Sequence, residues 1–545
     1  MTTFTATCVE ARRFSKTTVS RIVSAAGITW TALLCALAGS AQAAPYASNL
    51  TVSGTTVSFI LNESADFVGY SINGGPKVPL LKTSGSQTFF LDSPTDSFSI
   101  EAYKALGSGW IRPTGATTGS SSTGLSLSTS NGGFSLISSD ANPLGRFNNP
   151  RGVTVNVNPN TPNFGTAYIS NSGTVGVNYS VAAGSGSIGG SAARSLVTKG
   201  MYALRADQSD AFGYGNTGQN TAWANSNSVP WKSAVAPDGD VYISDFSDAS
   251  GNVWRMSPTL TGGTAVLSGT GGPSTVPAGQ YHGSTTTVWV TGTGAAMTLF
   301  TIDEDLTPAG VPGAVSTSTT SKLNVWAYAL GTNAVPFATP PSLVNPSPYL
   351  INSSGNVVRG ADGKYYISQN RSGGLESGIF VLDATTGTSI YTSLAATRAL
   401  LSNTSAPDIF TNTMGIAVSP DQRWLAAVLL NSDVAVMPLI DGIPDISKRM
   451  LIDTGTNTSG ASQRFDIAFD AANNIHYVSS GQLIYRVLAT GGETLATTSY
   501  SGGVTSFSMV MAVPEPSSIA LAAAGLAGGG LAWRRRRLRR RSAGG

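Results

Sequence analysis

Charge is what this sequence has least of. Only 11% of its 545 residues are Asp, Glu, Lys or Arg, against about 25% in ordinary soluble domains. Histidine occurs twice, at His282 and His476, and cysteine twice, at Cys8 and Cys35. Each shortage excludes some chemistry. Beyond position 35 there is no thiol to form a disulfide, attack a substrate or ligate a metal. The two histidines are far apart, and HExxH, GxSxG and EF-hand patterns are missing. No Ser-His-Asp triad or metal site is therefore legible. One GxGxxG match, at Gly184, Gly186 and Gly189, is what 63 glycines produce by chance about once. It has no βαβ setting, so no cofactor is expected. The acidic run Asp303-Glu304-Asp305 reads as a solvated loop rather than a calcium site.

The little basic charge there is gathers at the two ends. Arg12, Arg13, Lys16 and Arg21 precede the apolar run 22–38, and Ala41-Gln42-Ala43 follows it. A basic region, a short apolar core and an A-x-A site form a secretory signal, cut after Ala43 by signal peptidase once the secretion machinery has engaged it. Domain 1–43 is thus expected to be removed, so that the mature chain starts near Ala44. At the other end Ser517 to Trp533 is small or apolar throughout. As a helix it spans roughly 25 Å, the lower limit for crossing a membrane. Arg534, Arg535, Arg536 and Arg537 follow, then Arg539 to Arg541. By the positive-inside rule they stop transfer and hold that end in the cytoplasm. Of 32 bases and 29 acids, eleven bases and two acids lie in these end segments. The body keeps 21 bases and 27 acids, a net of −6, which argues against nucleic acid as a partner.

The order Pro514-Glu515-Pro516, apolar span 517–533, arginine cluster resembles the PEP-CTERM sorting signal of Gram-negative bacteria, here over 513–541. The resemblance implies an inner-membrane-anchored precursor. It also implies a partner, the exosortase-type transpeptidase, which cuts near Pro514, Glu515 and Pro516. The body then passes to the cell surface or the exopolysaccharide matrix.

Between the ends the pattern is all-β. Apolar residues alternate in short runs broken by Gly, Asn and Pro, with no long helical periodicity. In 44–112, Val57, Phe59 and Leu61 alternate, then Val68, Tyr70 and Ile72, then Phe98, Ile100 and Ala102. This predicts a small Ig-like sandwich. A Gly/Ser/Thr-rich linker, 113–134, follows. Over 135–511 a strand–turn–strand unit repeats, with turns at Pro159, Pro237-Asp238-Gly239, Ala361-Asp362-Gly363, Pro420-Asp421 and Ala472-Asn473. A further unit fits at "TTTVWVTGTG" and "MTLFTIDEDL". Units of this length with three or four strands predict a β-propeller of six or seven blades. The repeats resemble NHL-type and YVTN-type propellers, and more loosely the gluconolactonase-type family.

In a propeller the first strand of each blade lines the channel. Arg151, Lys232, Arg359 and Arg464 stand near such strands. They predict a basic funnel for an anionic group such as an acidic exopolysaccharide sugar. The expected function is binding or structural, at the cell surface or in the matrix, rather than enzymatic. Two alternatives stay open: a metal-dependent propeller hydrolase or lyase of the envelope, and an ice-binding or surface-adhesion protein.

Overall fold

The alternating runs form strands, and the described residues are mostly β with almost no helix. The structure is a computed structural model. It describes residues 44–105, 136–138, 143–145, 147, 150–172, 199–213, 229–246, 253–267, 285–303, 325–330, 342–345, 354–369, 377–383, 385–411, 413–429, 434–452, 464–479, 483–488 and 493–512. The signal segment with Ala41 and Ala43, the linker 113–134, Pro514, Glu515, Pro516, the span 517–533 and Arg534 to Arg537 lie outside these residues. Among the described residues no helix is long and apolar enough to cross a membrane.

Six strands come first: β1 (Ala47–Ser53), β2 (Thr56–Leu61), β3 (Phe67–Ile72), β4 (Val78–Pro79), β5 (Gly85–Phe90) and β6 (Phe98–Lys104). After the short β7 (Leu136–Ser138) six units follow. The first is β8 (Pro150–Val155), β9 (Ala167–Asn171) and β10 (Gly200–Leu204). The second is β11 (Pro230–Val235), β12 (Val241–Asp245), β13 (Val253–Met256) and β14 (Thr264–Leu267). The third is β15 (Thr285–Thr291), β16 (Thr298–Asp303), β17 (Val325–Ala329) and β18 (Ser342–Asn345). The fourth is β19 (Ser354–Arg359), β20 (Tyr365–Gln369), β21 (Gly378–Leu382) and β22 (Ser389–Thr392), followed by helix α1 (Ser393–Leu401). The fifth is β23 (Ile416–Val418), β24 (Trp424–Val428), β25 (Val434–Ile440), β26 (Ile443–Pro444) and β27 (Met450–Ile452). The sixth is β28 (Arg464–Phe469), β29 (Asn474–Ser479) and β30 (Leu483–Leu488). A final hairpin is β31 (Glu493–Ser501) and β32 (Val504–Ala512).

Each of the six units is an antiparallel sheet, and β7 completes the sixth by pairing with β30. The first strands adjoin one another in the order β8, β11, β15, β19, β23, β28, and β28 meets β8 again. The sheets thus form a closed, propeller-like ring. Their faces bury successive apolar clusters, such as Tyr366, Val381, Ile416 and Leu425 between the fourth and fifth sheets.

The repeated turns fold alike. In the second unit the Gly239 N–H donates to Ala236 O and the Ala236 N–H to Asp240 O. The fourth unit repeats this with Gly363, Gly360 and Lys364, and the sixth with Asn473, Asp470 and Asn474. The third turn residue has positive φ each time: Gly239 +94°, Gly363 +81°, Gln422 +58° and Asn473 +59°. That conformation suits Gly, and Asn tolerates it.

The last hairpin differs from expectation. The sequence assigns it to the repeat region ending at 511. Its strand β31 instead pairs with β6, in a sheet ordered β32-β31-β6-β3-β4. This sheet shares a core with β1-β2-β5, built from Val57, Phe59, Leu61, Val68, Phe89, Phe98 and Ile100. Tyr500 stacks on Phe98 at 5.1 Å. Alternation alone cannot name a strand's partner, and β31 follows the last ring strand, β30, after a short connection.

Candidate functional site

Five of the six first strands open with a pairing irregularity, between Pro150 and Gly152, Pro230 and Ser233, Thr285 and Thr287, Ser354 and Asn356, and Arg464 and Asp466. Such bulges bend the strand and re-aim a side chain. Polar groups converge just there. Asp466 Oδ1 lies 3.0 Å from Lys232 Nζ and accepts from Asn356 Nδ2 at 3.0 Å. Asp466 Oδ2 accepts the Val153 N–H at 3.0 Å. Thr287 Oγ1 donates to Asn356 Oδ1 at 2.7 Å, and Asn356 Nδ2 also reaches Ile416 O at 3.3 Å. Every sheet of the ring contributes one group.

The Lys232 and Asp466 side chains are 2% and 4% exposed. Burial pushes the Lys232 ammonium down and the Asp466 carboxyl up, and each partner opposes the shift of the other. Burying a charge costs several kcal/mol unless it is paired and hydrogen-bonded. Here both conditions hold, and the network acts as a neutral floor across the channel.

Glycines let the strands approach this closely. A Cβ at Gly152 would strike Trp231 O and Ser170 Oγ, and one at Gly355 would strike the Met414 backbone. Serines then clasp neighbouring sheets: Ser170 Oγ donates to Trp231 O at 2.6 Å, and Ser368 Oγ to Met414 O at 2.8 Å.

Of the four expected cations, the three whose side chains are described do not share a mouth. Arg151 lies beside the network, with its guanidinium 4.9 Å from the Trp231 ring and Nε donating to Ser172 Oγ at 3.1 Å. Burial brings it down to about 10. Lys232 is consumed by Asp466. Arg464 opens β28, and its side chain lies outside the described residues. Arg359 stands three residues beyond Asn356, about 10 Å farther along the channel, and is exposed.

Around Arg359 the channel widens into a cavity of about 320 Å³ lined by all six first strands. Lys232, Asn356 and Asp466 form its floor, and Val155, Val290 and Phe469 belong to its walls. Trp289 also lines it and stacks on Phe300 with centroids 5.0 Å apart and planes at 4°. The Arg359 guanidinium sits 5.8 Å from the Phe300 ring. Sequence reasoning missed Thr287, Asn356 and Trp289, because nothing local marks an axial position. It also passed over a usable signal, Tyr-Ile-Ser at 168–170, 242–244 and 366–368, whose serines approach the first strands.

The gluconolactonase-type alternative requires a carboxylate set for a metal. Among the described residues the cavity lining has one carboxylate, Asp466, which already holds Lys232, Asn356 and the Val153 N–H, so this donor set does not fit. Among the described residues no group of three His, Cys, Asp or Glu is placed to hold a metal ion.

The PEP-CTERM protein-sorting motif matches residues 512–537. No curated protein sequence matches the chain. Among solved structures, a structural-genomics protein of unknown function from Bacteroides thetaiotaomicron VPI-5482 is similar at 11% identity and a TM-score of 0.34. That match covers 82% of this chain and 99% of the other. The WD40 β-propeller domain of Doa1 matches at 12% identity and TM-score 0.34, over 65% of this chain and 96% of its own. A streptogramin B lyase matches at 10% and 0.31, over 65% and 97%.

Proposed function

We propose that this exported, exosortase-sorted chain is a binding or structural protein of the cell surface or exopolysaccharide matrix. Its body is read as a six-bladed propeller joined to an Ig-like sandwich. The precursor is held in the inner membrane by 517–533 and cut near Pro514, Glu515 and Pro516.

The observation that carries the binding role is the cup above the neutral floor. Its lining combines Trp289, backed by the buried Phe300, with the exposed Arg359. An apolar wall suits the flat face of a sugar ring, and a guanidinium takes a carboxylate through paired, charge-assisted bonds. The class of ligand is an acidic oligosaccharide. Of the expected funnel cations, this reading uses Arg359.

Calorimetric titration with uronic-acid oligosaccharides at low and moderate salt tests this. Binding to the wild type should weaken with salt, and Arg359→Gln or Trp289→Ala should abolish it. Equal binding by all three proteins, or none by the wild type, overturns the glycan reading. Sorting is tested separately by the intact mass of protein released from the native host. The released form should end near Pro514, without the arginine cluster.

A further inference from the structure

The turn after β28 holds a buried carboxylate whose nearest basic side chain is a histidine. Asp470 is 0% exposed. Its Oδ1 accepts the N–H groups of Ala472 at 2.9 Å and Asn474 at 2.8 Å, and its Oδ2 accepts Asn474 Nδ2 at 2.8 Å. His476 Nε2 lies 3.8 Å away. Among the described residues no Lys or Arg forms an ion pair with it.

Asn474 links this carboxylate to the start of the body. Its Oδ1 accepts the Ala44 N–H at 3.0 Å, and its Nδ2 also donates to Ala44 O at 3.3 Å. From the other side Asn62 Nδ2 donates to the same Ala44 O at 3.0 Å, and Asn62 Oδ1 accepts the Tyr46 N–H at 2.6 Å. Two side-chain amides thus hold the backbone of residue 44. Ala44 is itself 0% exposed, in a cluster with Tyr46, Phe164, Ala206, Ala472 and Ala496. A first residue with nothing to hold it would fray into solvent.

We propose that Asn474, backed by Asp470, forms a binding site for a primary ammonium, while Asn62 holds the adjacent Ala44 carbonyl, and that its ligand is the amino group of Ala44 released by signal peptidase. The inference rests on the reading that the signal is cut after Ala43. Water breaks the Ala43–Ala44 peptide bond; its oxygen completes a carboxylate on Ala43, and both of its protons end on the freed Ala44 nitrogen as an ammonium. Before the cut that nitrogen offers Asn474 one neutral N–H. Afterwards it offers three protons and a positive charge, one amide away from Asp470. In a buried setting that attraction is several times stronger than in water. Processing therefore adds a fixed positive charge near Asp470, beside a histidine that is charged only when protonated, and locks the amino end onto the ring.

The test compares two otherwise identical chains, one released by a defined protease to begin at Ala44 and one that keeps Ala43. The Ala44 form should melt several degrees higher, and Asp470→Asn should erase the difference. If Asp470→Asn does not fold, brief acylation at neutral pH gives a second readout. The Ala44 amine should be protected in the folded chain and labelled in urea. Equal melting of the two chains, or equal labelling folded and unfolded, overturns the site. Amino-terminal sequencing of the exported protein checks the cut by itself. A first residue other than Ala44 overturns the processing step, while the two defined chains still decide whether the site binds an ammonium.

Discussion

Lys232 and Asp466, from the second and sixth sheets, meet 3.0 Å apart on the axis of the ring, and neither is solvated. Removing one partner leaves the other charge buried and alone. Lys232→Met should cost about 3–5 kcal/mol, whereas Lys232→Met with Asp466→Leu should recover most of the loss. Urea midpoints at constant m-value measure both. A single mutant as stable as the wild type would show that the pair contributes nothing.

Asp408 predicts a pH dependence. It accepts hydrogen bonds from Ser393 Oγ, from Phe410 N at 3.0 Å and from Thr397 Oγ1 at 3.4 Å, where α1 packs on the fourth sheet. Burial outweighs these bonds and pushes its carboxyl up to about 6. The folded chain then holds this proton more tightly than the unfolded chain, where Asp titrates near 3.9. The stabilisation is complete below about pH 4 and is lost as pH rises through about 6. At 1.36 kcal/mol per pKa unit the loss reaches about 3 kcal/mol. Asp408→Asn should flatten the stability profile between pH 4 and 7. An unchanged slope would remove Asp408 as its source.

The glycines at the strand contacts should behave unlike the glycines of the turns. Gly152→Ala and Gly355→Ala force a Cβ into neighbouring backbone, and each should cost about 3 kcal/mol, the upper end for overpacking. Gly363 has open space around it but a φ of +81°. Gly363→Ala should cost about 1 kcal/mol, from the backbone alone. Thermal melts of the three variants give the ranking, and equal losses would refute it.

Cutting the connection 106–135 should not free the amino-terminal sheets. A specific protease site inserted there yields two pieces that stay bound. β6 pairs with β31, Thr498 Oγ1 donates to Ala47 O at 3.1 Å, and Tyr46 packs edge-on against Phe164 and Phe507. Size-exclusion chromatography after cleavage should show one peak. Separation without denaturant would mean that residues 44–105 fold alone.

Local chemistry was legible in the sequence, and long-range pairing was not. The turns at Pro237-Asp238-Gly239, Ala361-Asp362-Gly363 and Ala472-Asn473 follow from residues that tolerate a tight bend. The unit suspected near residues 285–305 is there as β15 and β16. The alternation of Val57, Phe59 and Leu61 correctly marks a buried face. Lys232 misled because a lysine next to a small-apolar strand looks the same whether it meets solvent or a carboxylate two sheets away around the ring. The β31–β32 hairpin misled for the same reason, since its partner β6 lies on the far side of the entire repeat region.

That hairpin makes the ring an insertion within the two-sheet unit, between β6 and β31. An exported chain that emerges amino end first presents β6 long before β31 can arrive. Until then one side of β6 is an open edge, able to pair with whatever strand is nearest. Closing it requires the whole ring to have been delivered. A chain stalled or truncated anywhere before residue 493 keeps its edge uncovered, so completion of this sheet distinguishes finished molecules from fragments.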